Sequence, residues 1–232
     1  MTSNLDEPIS HAPSRRAVTR GAAWSVPVVA LAVAAPASAV TSGCHVQTGK
    51  LDWDLFSNGS TQLGKALTTT VSGVTVTITV TGEYATGNGT VTSTATGGQS
   101  KVLRFYDREN RSNTSQTVLI TFSKPVQNVQ FSVLDVDSQT SSPTNAYEDL
   151  VVVDTPGWTG SKHSNVKGSG TAKDPYRGKT TNSPVAGSSN ASNVDLGWSG
   201  TLSAVSFTYA QDGKVGGGPF IGISDIYFQT VC

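Results

Sequence analysis

The sequence predicts an all-β fold, an antiparallel β-sandwich that follows an export signal. Between the two cysteines the chain is rich in Thr, Ser, Gly and Val and poor in Leu, Glu, Lys and Met, a composition that favours strands and turns over helices. Residues 74–80 alternate strictly between apolar side chains and threonine, as a strand with one buried face does. Turn residues recur at short intervals after it, which is typical of a sandwich.

Further strands are predicted wherever apolar residues alternate or cluster between turn signals. Residues 123–125, Ser-Lys-Pro, are predicted to form a turn between two of these strands. The full predicted set covers residues 74–80, 90–96, 101–106, 117–122, 126–137, 150–154, 202–210 and 221–228.

The first 39 residues have the order of an export signal. Arg15 and Arg16 precede a short apolar run over 21–35, and a small-x-small site ends at Ala39. The arginine pair resembles the bacterial twin-arginine motif, and the segment is similar to signals of high-GC Gram-positive bacteria. The alternative is an ordinary secretory signal with a chance arginine pair. Either route predicts a secreted protein or one on the extracellular cell surface.

Cleavage after Ala39 would leave one domain, residues 40–232, of a length that can bury a good core. It carries 13 basic and 14 acidic residues. This balance argues against nucleic acid as a partner, because phosphate binding needs a basic surface. A second long apolar run is absent from the sequence, so we expect no membrane span in the mature chain.

Cys44 and Cys232 lie near the two ends of this mature chain. In an oxidising compartment they are expected to form a disulfide, which would make the first and last strands neighbours. The alternative is a reactive thiol or a metal ligand at Cys44, which lies beside His45.

Residues 155–200 interrupt the strand pattern with a segment rich in Gly, Ser, Asn, Thr and Lys. We interpret it as a long loop inserted in the domain, and loops of this length are often functional. Trp158, Tyr176 and Trp198 lie in it, and exposed aromatic rings there would stack on sugars. The alternative is that these side chains fix the loop against the domain.

Acidic side chains gather where two predicted strands approach one loop. Asp135 and Asp137 end the first strand in its core-facing alternation, and Glu148 and Asp149 open the next. Together with Asn145 these oxygens predict a Ca²⁺ site, because a cation would relieve the repulsion between carboxylates. The alternatives are a polar loop, ion pairing with Arg104, Arg108 or Lys124, and catalytic acids.

Two stretches carry a resemblance to known proteins, ITFSKPVQNVQFSVLDVDS with YEDLVVVD, and LSAVSFTYA with FIGISDIYF. They resemble the β-sandwich modules of bacterial surface and secreted proteins, which are similar to jelly-roll adhesion and carbohydrate-binding domains. The resemblance covers about residues 118–228 and implies fold more than function.

The motifs of common hydrolases, G-x-S-x-G and H-E-x-x-H, do not occur in the sequence. We therefore expect a non-catalytic surface or extracellular binding and adhesion module, stabilised by Ca²⁺, whose partner is a glycan or another surface protein. The alternatives are a secreted glycan-active hydrolase on a jelly roll and a structural subunit of the envelope or of a pilus-like fibre.

Overall fold

A computed structural model describes residues 45–71, 73–107, 114–141, 146–182, 184–212 and 219–231. All of them belong to the compact unit His45–Cys232. The predicted signal with Arg15, Arg16 and Ala39, the predicted disulfide Cys44–Cys232, and Asn145 lie outside the described residues. No helix in the described part of the chain is long and apolar enough to cross a membrane.

The described chain is all-β, with antiparallel strands and a single 3₁₀ turn at Trp53–Leu55. The strands are β1 Thr48–Leu51, β2 Ala66–Thr68, β3 Thr75–Gly82, β4 Thr90–Thr92, β5 Val102–Tyr106, β6 Ser115–Leu134, β7 Ser138–Gln139, β8 Tyr147–Val153, β9 Trp158–Lys162, β10 Val166–Lys167, β11 Arg177–Gly178, β12 Val194–Trp198, β13 Leu202–Gln211, β14 Phe220–Ile223 and β15 Ile226–Thr230.

The long strand β6 pairs with two different sets of strands along its length. Its first half lies between β3 and β13, and β13 continues to β8 and β7. Its second half lies between β12 on one edge and β14 with β15 on the other. On these edges β9 extends β12, β5 and β4 extend β14, and β1 extends β15. β6 is therefore the strand that connects these two sets into one sheet.

A β-bulge at Asn128 separates the two halves of β6. Core-facing residues are even-numbered before it (Ile120, Phe122) and odd-numbered after it (Val129, Phe131). One extra residue explains the change, because a shift by one residue moves side chains to the other face of a strand. Asn128 takes a left-handed backbone with φ 52°, which asparagine tolerates better than most residues. Its side-chain amide donates to Gln229 Oε1 at 2.7 Å.

Buried side chains from both sets of strands form one hydrophobic core. Phe122 packs edge to face on Phe228 with ring centroids 5.4 Å apart, and Phe131 lies 6.1 Å from Phe207. Phe122 and Phe207 belong to the first set of strands, and Phe228 and Phe131 to the second. Aromatic contacts therefore join the two sets through the core.

The structure differs from two of the sequence predictions. The predicted turn at 123–125 is part of continuous β6, so its two predicted strands are one. The predicted loop 155–200 contains β9, β10, β11 and β12, and β12 pairs directly with β6. The polar composition predicts a loop wrongly, because β9 is an edge strand that exposes most of its side chains and so contains few apolar residues.

The first strand and the last strand are neighbours, as the disulfide prediction required, because β1 pairs with β15. Asp225, in the break between β14 and β15, connects this region to β1 and the 3₁₀ turn that follows it. Its carboxylate accepts the Trp53 backbone N–H at 2.9 Å and lies 2.9 Å from Lys50 Nζ. The indole N–H of buried Trp53 donates to the Ser224 carbonyl at 2.8 Å.

Replacing Asp225 by Ala should lower the free energy of unfolding by about 1–3 kcal/mol, because it removes a charged acceptor from the Trp53 N–H and from Lys50. Urea denaturation measures the change. Asp174→Ala is the matched control, because it removes a carboxylate that is 47% exposed and forms a long 3.5 Å ion pair with Arg177, and this should cost less than about 0.5 kcal/mol. Equal losses in the two variants would contradict this role for Asp225.

Candidate functional site

Three of the predicted acidic residues are buried close to one another at the end of β6. Asp135, Asp137 and Asp149 are only 8, 3 and 1% exposed. Asp135 has φ 67°, so β6 ends at Leu134 instead of continuing to residue 137 as predicted. Glu148 is half-buried and, as the neighbour of Asp149 in β8, points to the opposite face of that strand. Glu148 therefore does not share the buried site, which we call the aspartate cluster: Asp135, Asp137 and Asp149.

Neutral donors hold two members of the aspartate cluster. Asp149 accepts the Tyr209 hydroxyl at 2.8 Å, the Asp137 backbone N–H at 3.2 Å and the Gln211 side-chain amide. Asp137 accepts the Val185 backbone N–H at 2.5 Å, which ties the segment after β11 to the cluster. One oxygen of Asp135 is buried with no hydrogen-bond partner. Asp135 is thus the least satisfied carboxylate of the three.

Burial raises the pKa of all three carboxyl groups. The pKa of Asp135 rises to about 7, first because of burial and second because of the charge of Asp137, while Arg104 opposes the rise. The pKa of Asp137 is raised by burial, and that of Asp149 is raised well above its usual range by burial and by Asp137. The folded state therefore favours protons or another cation at this cluster.

The calcium prediction was made for Asp135, Asp137, Glu148, Asp149 and Asn145. Among the described residues, no group of three or more His, Cys, Asp or Glu side chains is placed to hold one metal ion. Calcium binding therefore stays a prediction. The polar contacts of Asp137 and Asp149 with protein donors satisfy much of what a cation would otherwise supply.

The three aromatic side chains predicted to bind a ligand pack against the protein instead of facing outward. Trp198 and Tyr176 are each 3% exposed, and Trp198 stacks on Phe131 with centroids 5.7 Å apart. Trp158 is half-buried and packs edge to face on Tyr176 at 5.8 Å. Burial removes the ring faces of Tyr176 and Trp198 from a ligand, so the structure supports the alternative in which they fix residues 155–200 to the core.

A groove of about 590 Å³ lies on the outward face of β9, β12, β6 and β15. Antiparallel pairing aligns its residues in two rows across the strands. One row contains Ser161, Asp195 and Ser132, and the other contains Thr159, Gly197, Gln130 and Tyr227. The polar side chains and one aromatic ring therefore come from strands, which hold them more rigidly than loops would.

Gly197 leaves open space in the second row of the groove. A Cβ atom there would lie 3.6 Å from Thr159 Oγ1 and 3.7 Å from Gln130 Cγ, which are ordinary contact distances. A larger side chain would therefore fill the groove without displacing the backbone.

Tyr227 is the exposed aromatic residue of the groove, because it is 44% exposed whereas Phe131, which also lines the groove, is only 4% exposed. Lys50 Nζ lies 5.7 Å from the ring centroid and also contacts Asp52 at 2.8 Å and Asp225 at 2.9 Å. The ring thus stands beside a fixed ion-pair network. The sequence reasoning did not select Tyr227, although Ile226-Tyr227-Phe228 alternates in the way that turns its middle residue outward.

Comparisons with known proteins add no assignment to this geometry. No protein-family model matches the chain, and neither a curated protein nor a solved structure does.

Rising pH should destabilise the protein when divalent cations are absent. The folded-state pKa of Asp135, about 7, exceeds the unfolded value of about 3.9, so its contribution is complete under acidic conditions and is lost as pH rises through about 7. We expect the free energy of unfolding in EDTA to fall by about 3 kcal/mol from about pH 5 to about pH 8. Asp135→Asn, which suits the left-handed backbone, should flatten this dependence; an unchanged slope would contradict the assignment.

The calcium prediction has its own measurement, thermal unfolding near pH 8 in EDTA and then with Ca²⁺ or Mg²⁺. If calcium binds, a concentration about 100 times its dissociation constant should stabilise the protein by about 2.7 kcal/mol. The double variant Asp135→Asn with Asp137→Asn should lose that gain. Identical midpoints in EDTA and Ca²⁺ for the unsubstituted protein would exclude a calcium site at the aspartate cluster.

Proposed function

We propose that the protein is an exported, non-catalytic β-sandwich module that binds a neutral glycan in the groove of β9, β12, β6 and β15. The observation that carries the proposal is the combination of one exposed tyrosine ring with rows of hydroxyl, amide and carboxylate groups on one sheet face. A sugar ring offers an apolar face and a rim of hydroxyl groups, and such a surface matches both. The export signal predicted for residues 1–39 agrees with an extracellular ligand of this kind.

The chemistry of the groove favours binding over hydrolysis. A glycosidase needs two carboxyl groups on either side of the bond that it cleaves. Asp195 is the only acidic residue among those that line the groove in the described part of the chain. The buried aspartate cluster does not supply a second, because its members belong to the protein interior.

Half of the groove comes from β9 and β12. The proposal therefore keeps the segment 155–200 as part of the binding region, but through its strands and not through a loop. Ca²⁺, if it binds at the aspartate cluster, would have a structural role in this module and would not contact the glycan.

Binding of the purified protein to an array of immobilised neutral and acidic polysaccharides tests the proposal. Tyr227→Ala should weaken neutral-glycan binding by about fivefold, since losing a stacking ring costs on the order of 1 kcal/mol. Gly197→Thr should abolish binding by filling the groove while the fold persists, because threonine suits a strand.

Tyr84→Ala is the matched control, because Tyr84 is 42% exposed but does not line the groove. Its binding should equal that of the unsubstituted protein. Retained binding in both Tyr227→Ala and Gly197→Thr would contradict the site, and the absence of any bound glycan would contradict the proposed function. Capture of a surface protein that Gly197→Thr also abolishes would point to a protein partner at the same face.

A further inference from the structure

We infer that Asp195 is the specificity-determining residue of the groove and that it selects uncharged sugars with two adjacent free hydroxyl groups. The inference rests on the proposed function and narrows its ligand.

Asp195 occupies the middle of the first row. In the strand pairing it lies opposite Ser132 of β6 on one side and opposite Ser161 of β9 on the other. The side chain of Asp195 is 51% exposed, although its neighbours Val194 and Leu196 are buried. The alternation of β12 therefore presents this carboxylate to whatever enters the groove.

Two neighbours hold the carboxylate in one orientation. Its Oδ1 accepts the Ser132 hydroxyl at 2.6 Å, and its Oδ2 lies 3.1 Å from His163 Nε2. A carboxylate has about four acceptor positions, so each oxygen keeps capacity for a further donor on its exposed side. A fixed acceptor loses less conformational entropy on binding than a mobile one.

The remaining capacity matches a pair of neighbouring hydroxyl groups. One hydroxyl would donate to Oδ1 and the other to Oδ2, which is the two-point contact that a carboxylate makes with paired donors. The Ser161 hydroxyl and the Gln130 amide line the groove beside it and can contact other hydroxyls of the same sugar chain. The Thr159 hydroxyl donates to the Gly197 carbonyl at 3.3 Å and can accept from such a hydroxyl. A sugar whose adjacent hydroxyl is replaced by a bulky group would lose one of the two contacts.

Charge excludes acidic sugars from the same position. A uronic acid would bring a second carboxylate toward Asp195, and like charges at short distance repel. The amine of Lys50, near the Tyr227 end of the groove, is already shared by Asp52 and Asp225. That of Lys162 in β9 donates to the Gly168 carbonyl at 2.8 Å. His163 is the basic side chain that contacts Asp195 itself.

Isothermal titration calorimetry on the full chain with four 1,4-linked hexamers tests the inference. Cellohexaose and mannohexaose carry free adjacent hydroxyls, chitohexaose has an acetamido group in place of one of them, and hexagalacturonate adds a carboxylate to every ring. We expect the unsubstituted protein to bind one or both neutral hexoses at least about tenfold more tightly than the other two ligands.

Asp195→Asn keeps the size of the side chain but loses its charge and one acceptor oxygen. It should weaken binding of the neutral hexose by about tenfold or more and narrow or invert the preference over hexagalacturonate. A purely structural role for Asp195 would weaken all ligands alike and leave that ratio unchanged. Asp154→Asn is the matched control, because Asp154 is exposed, accepts a hydrogen bond from Thr208, and lies outside the groove.

The outcomes separate this inference from the proposed function. If neutral hexamers bind and Tyr227→Ala weakens them, but Asp195→Asn leaves every affinity within about twofold, the inference is overturned and the proposed function stands. Equal binding of chitohexaose or hexagalacturonate by the unsubstituted protein overturns it as well. If none of the four hexamers binds and the polysaccharide array is also blank, the proposed function fails and takes this inference with it.

Discussion

The left-handed residue Asn128 allows one strand to serve two groups of partners. Without the bulge, the alternation of Ile120 and Phe122 would continue and turn Phe131 and Val133 outward. With it, Phe131 and Val133 are buried, Phe131 packs against Phe207 and Trp198, and Gln130 and Ser132 turn outward into the groove. The core contacts and the binding face therefore depend on the same local change of register.

At the end of β6, buried carboxylates connect several elements of the fold at a cost in stability. Asp135, Asp137 and Asp149 are buried where carboxylates are costly, and the Val185 and Tyr209 contacts offset only part of that cost. The cluster ties β6, β8, β13 and the segment after β11 to one another. The raised pKa values make the contacts between these elements sensitive to protons or to a cation. The groove shares only β6 with this group of strands.

Much of the fold follows from alternation. The threonine pattern of 74–80 predicts β3 to within two residues of its ends, and the resemblance of residues 118–228 agrees with the all-β architecture. The bulge at Asn128 and the positive φ of Asp135 could not be predicted, because asparagine and aspartate occupy ordinary backbone regions far more often. The sequence predicts that the side chains of Asp135 and Asp137 point the same way, because both would continue a regular strand. β6 ends at Leu134 instead, so that reason does not apply.

The candidate site could not be predicted in the same way, because the polar composition of residues 155–200 favours a loop over the strands β9 and β12. The sequence Val194-Asp195-Leu196-Gly197-Trp198 alternates as a strand with Asp195 outward, but the surrounding Gly, Ser and Asn residues favoured a loop. The aromatic rings of Trp158, Tyr176 and Trp198 predict a ligand surface, but they pack on the core and hold the segment to it. The position of Tyr227 beside Gln130 depends on how β15 pairs with β6, and the sequence does not show this pairing.

We propose above that a neutral glycan lies across β9, β12, β6 and β15. The most direct measurement is a two-dimensional amide NMR titration of the isotope-labelled protein with cellohexaose and mannohexaose. The account predicts that the largest shifts map to the amides of Ser132, Ser161, Asp195, Gly197 and Tyr227, with the threonine face of β3 unchanged. Shifts confined to other strands, or none from either sugar at concentrations where immobilised glycans are bound, would contradict it.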